Sequence, residues 1–278
     1  MILKNIRYLI TQNDDRQIIE DVDLLIHGDR IAGIGHRLPV DDHQVVDCSD
    51  KAVMPGLINS HTHASMTLLR GISDNKDLES WLHEEIFPAE EKLEEEDAFI
   101  GALLGCIEML TTGTTTFNDM YDHMDQVAEA VDRTGIRAVL GRGVLDVDGE
   151  KDWRMDEAIE LVEKYQHHNR ITPCFAPHGV YTASEQLLRE AKDCAEIFGT
   201  PYHIHVSETE KEMQDSINEN GRPPLKYLDD LGLVNEDLIA AHGVWLTDNE
   251  KEILAEKGGS VVHNPAANLK LGSGIAEV

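Results

Sequence analysis

From Val53 onward the chain repeats one unit: a short apolar run, a helical stretch of roughly 12 to 20 residues, then another apolar run. Seven runs read as strands, at 54–59, 114–118, 137–144, 171–177, 202–206, 238–241 and 260–263. The helices between them fall near 91–111, 123–134, 155–168, 184–198, 211–220 and 247–257. A strand lying parallel to its predecessor needs a crossover long enough to hold a helix, so the pattern predicts βαβ units around a parallel sheet. Residues 1–53 behave differently. IRYLI, DVDLLI, RIAGIG and HQVVDC alternate apolar and polar and are broken by Asn, Asp and Gly, which predicts a small antiparallel all-β segment.

A length of 278 residues suits one large α/β barrel or two ordinary domains. Seven strands are one short of a closed (β/α)8 TIM-type barrel, and the chain runs out at GSGIAEV with no eighth strand, so a truncated product is expected. The hydrophobic fraction of 41% against 28% charged is that of a soluble globular protein. No stretch approaches the ~18 to 20 apolar residues of a membrane span, and MILKNIRYLI lacks the make-up of a signal peptide. A cytoplasmic protein without a membrane partner is expected. A formal charge of −29 repels phosphate backbones, which argues against nucleic-acid polymers as partners. Cys48, Cys106, Cys174 and Cys194 are widely spaced with no CxxC pair and read as reduced, mostly buried thiols.

In an α/β barrel, chemistry gathers at the C-terminal ends of the strands. Here those ends carry His61 and His63, Asn118 and Asp119, Arg142, His178, His205, His242, and His263 with Asn264. Strand side chains alternate faces, so the imidazoles of His61 and His63 point the same way. The bland reading is a set of strand-end histidines satisfied by carbonyls or water. A metal site accounts for more of the pattern, because a catalytic zinc takes about three protein ligands and keeps an open position. His61, His63 and His205 would supply them. His203, one layer deeper on the same face, reads as a packed barrel-interior histidine. Glu208, three residues beyond His205, suits a proton shuttle, or else an acid placed at a helix start by the dipole. The long stretch 64–90 after the second histidine reads as a loop forming a lid or binding wall.

PGLINSHTHASMTLLRG, APHGVYTASE, HIHVSETEKE, AAHGVWL and VVHNPAANLKLGSG together resemble the amidohydrolase superfamily. The likeness is to its branch of 5-methylthioadenosine/S-adenosylhomocysteine deaminases and 5′-deoxyadenosine deaminases, and it covers nearly the whole chain. It implies a metal-dependent hydrolase barrel over 54–278 and a β-sandwich segment over 1–53, part of a composite domain. It implies one divalent metal ion, zinc first, with iron, manganese or nickel compatible with the same donors, on His61, His63 and His205. An aspartate after strand eight would complete the ligand set. Glu208 becomes the acid/base and His242 a hydrogen-bond partner of the activated water. His178, Glu90, Arg142, Arg154 and Trp81 become substrate contacts: Glu90 on the ribose hydroxyls, the two arginines on the 5′ side, Trp81 in the lid wall. Trp81 could equally be rim packing, and Glu90 plain helix surface. The implied reaction is hydrolytic deamination of the adenine ring of a 5′-modified adenosine, a small nucleoside, by an enzyme that is a homo-oligomer at full length. The rivals are another hydrolase of the superfamily, such as a guanine or cytosine deaminase or a triazine chlorohydrolase, and a non-catalytic metal-binding protein.

Overall fold

The computed structural model describes residues 1–146 and 153–277. Two compact units divide the chain, Met1–Leu57 and Ile58–Val278.

The first unit is a five-stranded mixed sheet. Strands β1 (Ile2–Ile10), β2 (Ile18–His27) and β3 (Arg30–Gly35) form an antiparallel meander, while β4 (Val45–Asp47) and β5 (Ala52–Val53) both pair with β1 in parallel. The purely antiparallel expectation is thereby corrected. After β3 the chain crosses back along 36–44 and rejoins β1 running in its direction, a route that alternation alone does not encode. Ile6, Leu9, Val22, Leu24 and Cys48 form this unit's core.

The second unit holds the seven parallel strands, the first of which begins at the last residue of the first unit: β6 (Leu57–Thr62), β7 (Thr114–Tyr121), β8 (Arg137–Val144), β9 (Ile171–Pro177), β10 (Tyr202–Val206), β11 (Leu238–His242) and β12 (Ser260–Val262). Their order in space, β12-β11-β10-β9-β8-β7-β6, is the order in sequence reversed, as successive right-handed βαβ crossovers produce. A flat sheet would hold β6 and β10 about 19 Å apart, four strand spacings of about 4.8 Å. Instead the rings of His61 on β6 and His205 on β10 have centroids 4.8 Å apart, so the sheet curls into a near-closed barrel. Strands β8 to β11 are buried on both faces, as parallel strands under helices should be, whereas β6 and β12 end the hydrogen-bonded order and are largely exposed. Phe175, Tyr202, Ile204, Leu225 and Leu238 dominate one side of the barrel core, and Phe117, Val127, Val131, Ile136 and Leu140 the other.

Most expected elements appear with small boundary shifts. Strand one starts at Leu57 instead of Met54, beyond Pro55, and the first long helix spans Glu95–Thr111 rather than starting at 91. There the N–H of Glu94 donates to Asp97 Oδ2 at 3.0 Å, half of a capping box that sets the helix start. Segment 64–90 is not the open loop that was expected: it holds helical pieces at Ala64–Leu69, Leu78–Trp81, Leu82–Ile86 and Phe87–Glu90. Asp77 starts the second of these by accepting from the N–H of Ser80 at 2.9 Å. A short helix at Pro224–Asp230, also unanticipated, begins at a proline whose missing N–H costs nothing in a first turn. Among the described residues, no helix is long and apolar enough to cross a membrane.

One packing contact braces the end of β6. At Gly101 an added Cβ would lie 2.3 Å from the carbonyl oxygen of Ser65. The Glu95–Thr111 helix can therefore press its backbone onto the Ala64–Leu69 turn. Ser65 Oγ donates to the carbonyl of Ala98 at 2.9 Å, and Thr67 Oγ1 to that of Gly101 at 2.6 Å.

Candidate metal centre and active site

His61, His63 and His205 meet at the C-terminal mouth of the barrel, each offering a ring nitrogen within 4.8 Å of the others. Their orientation follows from hydrogen bonding. His63 Nδ1 lies 2.5 Å from the carbonyl of Met120, and His205 Nδ1 lies 2.6 Å from that of His178. A carbonyl only accepts, so each Nδ1 carries the hydrogen and each Nε2 presents a lone pair. His61 Nδ1 is 3.0 Å from His203 Nε2, and its own Nε2 is 3.2 Å from His205 Nε2. Burial, foremost, holds the pKa of His61 well below the usual imidazole value and also lowers those of His63 and His205. Three neutral imidazoles with ring nitrogens this close together are the donor set that a zinc-type ion takes.

His203 is indeed inside the barrel and fully buried, but it is more than filler, since it meets His61 directly. Burial lowers its pKa to about 3.

Around the cluster lies a cavity of about 590 Å³, lined among others by His61, His63, His178, His205, Glu208 and His242. Trp81, Leu82, Ile86 and Phe87 supply an apolar wall from the 64–90 segment, and Glu90 lies at its end. Glu208 is 3% exposed, and burial, reinforced by the nearby Glu212 charge, pushes its carboxyl up to about 8. Its Oε1 lies 3.5 Å from His242 Nδ1. That Nδ1 also sits 2.8 Å from Asn268 Oδ1, an acceptor, which leaves His242 Nε2 with a free lone pair. Burial lowers His242 and His178 to about 4, so both are neutral near pH 7. His178 Nδ1 is held 2.9 Å from Thr182 Oγ1.

Glu90 accepts from Tyr121 Oη at 2.6 Å, and burial raises its carboxyl to about 7 against the lowering effect of that hydroxyl. Asn118 and Asp119, noted at the end of strand two, do not line the cavity. Asp119 braces its floor instead, accepting from Thr62 Oγ1 and from the N–H of Ala64, each at 2.7 Å, on either side of His63.

Arg142 and Arg154 stand behind the wall rather than in it. Arg142 is buried, donates through Nε to Glu157 at 2.6 Å, and pairs with Asp122. It touches the cavity lining through the carbonyl of Gly143, at 2.7 Å, and through its ion pair with Asp122. Arg154 likewise donates to the carbonyl of the lining residue Leu145, at 3.3 Å. Both guanidinium groups lie against the Trp153 ring.

Sequence reasoning passed over Tyr121, Asn268 and Glu212, which hold Glu90, His242 and the Glu208 turn respectively. Asn268 and Glu212 lie within stretches already singled out, NPAAN and SETEKE, but only contacts across elements reveal what they do.

A barrel of parallel strands with an imidazole cluster and a buried carboxyl at its C-terminal mouth defines a metal-dependent hydrolase architecture of the α/β barrel class. Residues 52–278 match the amidohydrolase family, and the chain belongs to it. It is 45% identical, over 94% of its length and 62% of the relative's, to the 5′-deoxyadenosine deaminase of Methanosphaera stadtmanae. With the 5-methylthioadenosine/S-adenosylhomocysteine deaminase of Nitratidesulfovibrio vulgaris it shares 43% identity over 96% of its length and 62% of that protein's. Its fold matches that of an adenosine deaminase from Xanthomonas campestris solved with bound zinc, with a TM-score of 0.92 and 34% identity over 99% of this chain and 64% of that one. The chain spans about three-fifths of the length of the curated relatives it matches.

Proposed function

We propose that this chain carries the active site of a metal-dependent deaminase that hydrolyses the adenine ring of 5′-modified adenosines to the inosine analogue and ammonia. One observation carries the reading: ring nitrogens of His61, His63 and His205, a buried protonated carboxyl and a neutral His242 meet at one cavity whose rim bears a second, half-buried carboxyl, Glu90. The names of the relatives point the same way.

In this reading His61, His63 and His205 hold the divalent ion. When bound there, it supplies the Lewis acidity that makes a nucleophile of water near neutral pH. The chain's own groups do the rest. Glu208 keeps its proton to about pH 8 and gives it to ring nitrogen 1 as an oxygen bonds to carbon 6. His242 Nε2 accepts a hydrogen bond from the attacking water, held in place by Asn268 through Nδ1. Breaking the bond between carbon 6 and the amino nitrogen releases ammonia; of the two protons the water gives up, one goes to the departing amine and the other restores Glu208. Glu90, braced by Tyr121, accepts from the ribose hydroxyls. Trp81 and Phe87 exclude water along the apolar wall, and His178 donates or accepts at the substrate edge. Arg142 and Arg154 shape the 5′ end from behind Gly143 and Leu145.

The test is a panel of zinc-loaded reactions on 5′-deoxyadenosine, methylthioadenosine, S-adenosylhomocysteine and adenosine, with guanine, cytosine and a chlorotriazine as controls, read by ammonia release and, for the chlorotriazine, by chloride release. Turnover of the adenosines and not of the controls is expected. Turnover of a control alone would overturn the proposal.

A further inference from the structure

Glu212 stands on the first turn of the Glu210–Asn220 helix and is only 5% exposed. Its Oε1 accepts from the N–H of Ser207 at 2.8 Å and its Oε2 from the N–H of Glu208 at 2.7 Å. In an ordinary capping box the N3 carboxylate returns to the N–H of the cap residue. Glu212 reaches further back: the cap is Thr209, whose Oγ1 accepts from the Glu212 N–H at 3.1 Å, and the carboxylate passes it to the two residues before.

Those residues need holding. Ser207 has φ 52°, a left-handed conformation that costs a non-glycine residue about 1 to 3 kcal/mol and persists only where its surroundings over-determine it. The Ser207 carbonyl is tied to the N–H of Trp245 at 2.9 Å, and the amide side of the turn is tied by Glu212. The turn connects the end of β10, where His205 sits, to Glu208 on the cavity wall. A two-pronged carboxylate on consecutive amides fixes the plane of the 207–208 peptide, and hence the direction in which the Glu208 side chain leaves the backbone.

We infer that Glu212 is a positioning residue for Glu208, gathering the amides of Ser207 and Glu208 so that the left-handed turn aims the Glu208 carboxyl into the cavity beside His242. The inference deepens the deaminase reading and rests on it for the role of Glu208.

The test pairs Glu212→Gln with Glu212→Ala in the zinc-loaded chain. The first keeps one acceptor and turns an N–H2 toward the other amide; the second removes both and shows whether partial capture suffices. Three readouts are taken: hydrogen exchange of the 205–209 stretch, the crystallographic position of Glu208 relative to His242, and kcat with KM. Faster exchange confined to that stretch is expected, with Glu208 Oε1 displaced from its 3.5 Å contact to His242. A misaimed Glu208 should lower kcat by about 10- to 100-fold, part of what positioned proton transfer contributes, with KM nearly unchanged. In a Glu208→Gln background, Glu212→Gln should lower kcat no further, because it acts through a group already removed. Unchanged exchange with Glu208 in place, or fully additive losses in the double variant, would overturn the inference. If the unaltered chain deaminates none of the nucleosides, the deaminase reading fails instead, and exchange and crystallography still decide whether Glu212 positions Glu208.

Discussion

His61 Nε2 and His205 Nε2 stand 3.2 Å apart although 144 residues separate them in sequence. Burial disfavours the imidazolium form of either ring, so both are neutral, and at that distance the two nitrogens share either the single hydrogen of one neutral ring or a cation. With a ring nitrogen of His63 within 4.8 Å of both, a cation would engage all three rings. His205→Ala removes one of the three donors and should cost most of the bound zinc, measured by elemental analysis after gel filtration. Retention of a full complement of zinc in that variant, with His61 and His63 intact, would refute the assigned centre.

Glu208→Gln keeps the shape of the side chain and removes its acidic proton. Zinc content should be unchanged while kcat falls by about 10²- to 10⁴-fold, the range that positioned proton transfer usually contributes. In the unaltered chain, kcat should decline as pH rises through about 8, where Glu208 gives up its proton, and the variant should lack that alkaline limb.

The same carboxyl couples stability to pH. Its value is about 8 in the folded chain against 4.5 ordinarily, so the folded state holds a proton that the unfolded state releases. Stability from this group is therefore fully present below pH 4.5 and is lost progressively as pH rises through about 8. Glu208→Gln should raise the thermal midpoint relative to the unaltered chain by an amount that grows across that window. Calorimetry over the pH series checks it, and a constant difference would contradict the burial argument.

Tyr121→Phe deletes the hydroxyl that donates to Glu90 at 2.6 Å. A hydrogen bond to a charged group is worth about 1.5 to 3 kcal/mol, so KM for a ribonucleoside should rise by about tenfold or more, with kcat largely kept. A substrate analogue lacking both ribose hydroxyls should show no such change. Equal effects on both substrates would remove Glu90 from the ribose subsite.

Gly101→Ala places a methyl group 2.3 Å from the Ser65 carbonyl, backbone against backbone, where nothing flexible can yield. Overpacking of this kind costs typically about 1 to 3 kcal/mol, read from denaturant unfolding. Because the displaced turn follows His63 directly, zinc affinity should fall as well. Gly105→Ala, whose nearest neighbour would be the Ala64 carbonyl at 3.3 Å, should be milder.

Much of this was legible in the chain alone. The barrel strands, the shared direction of His61 and His63, and the gathering of histidines at strand ends all follow from short-range periodicity, because side-chain alternation and helical spacing are local properties of the backbone. Tertiary structure decided the rest. The curl of the sheet brings β6 across to β10, and the partners of each Nδ1, the Met120 and His178 carbonyls and His203, choose which nitrogen faces the centre. Arg142, at a strand end like the histidines, is drawn instead to Asp122 and Glu157. Segment 64–90 winds into helical pieces, and β4 and β5 join β1 in parallel, for the same reason. Spacing along the sequence records which face a residue occupies, but which groups meet across that face depends on how distant segments curve and pack, and those contacts leave no period behind.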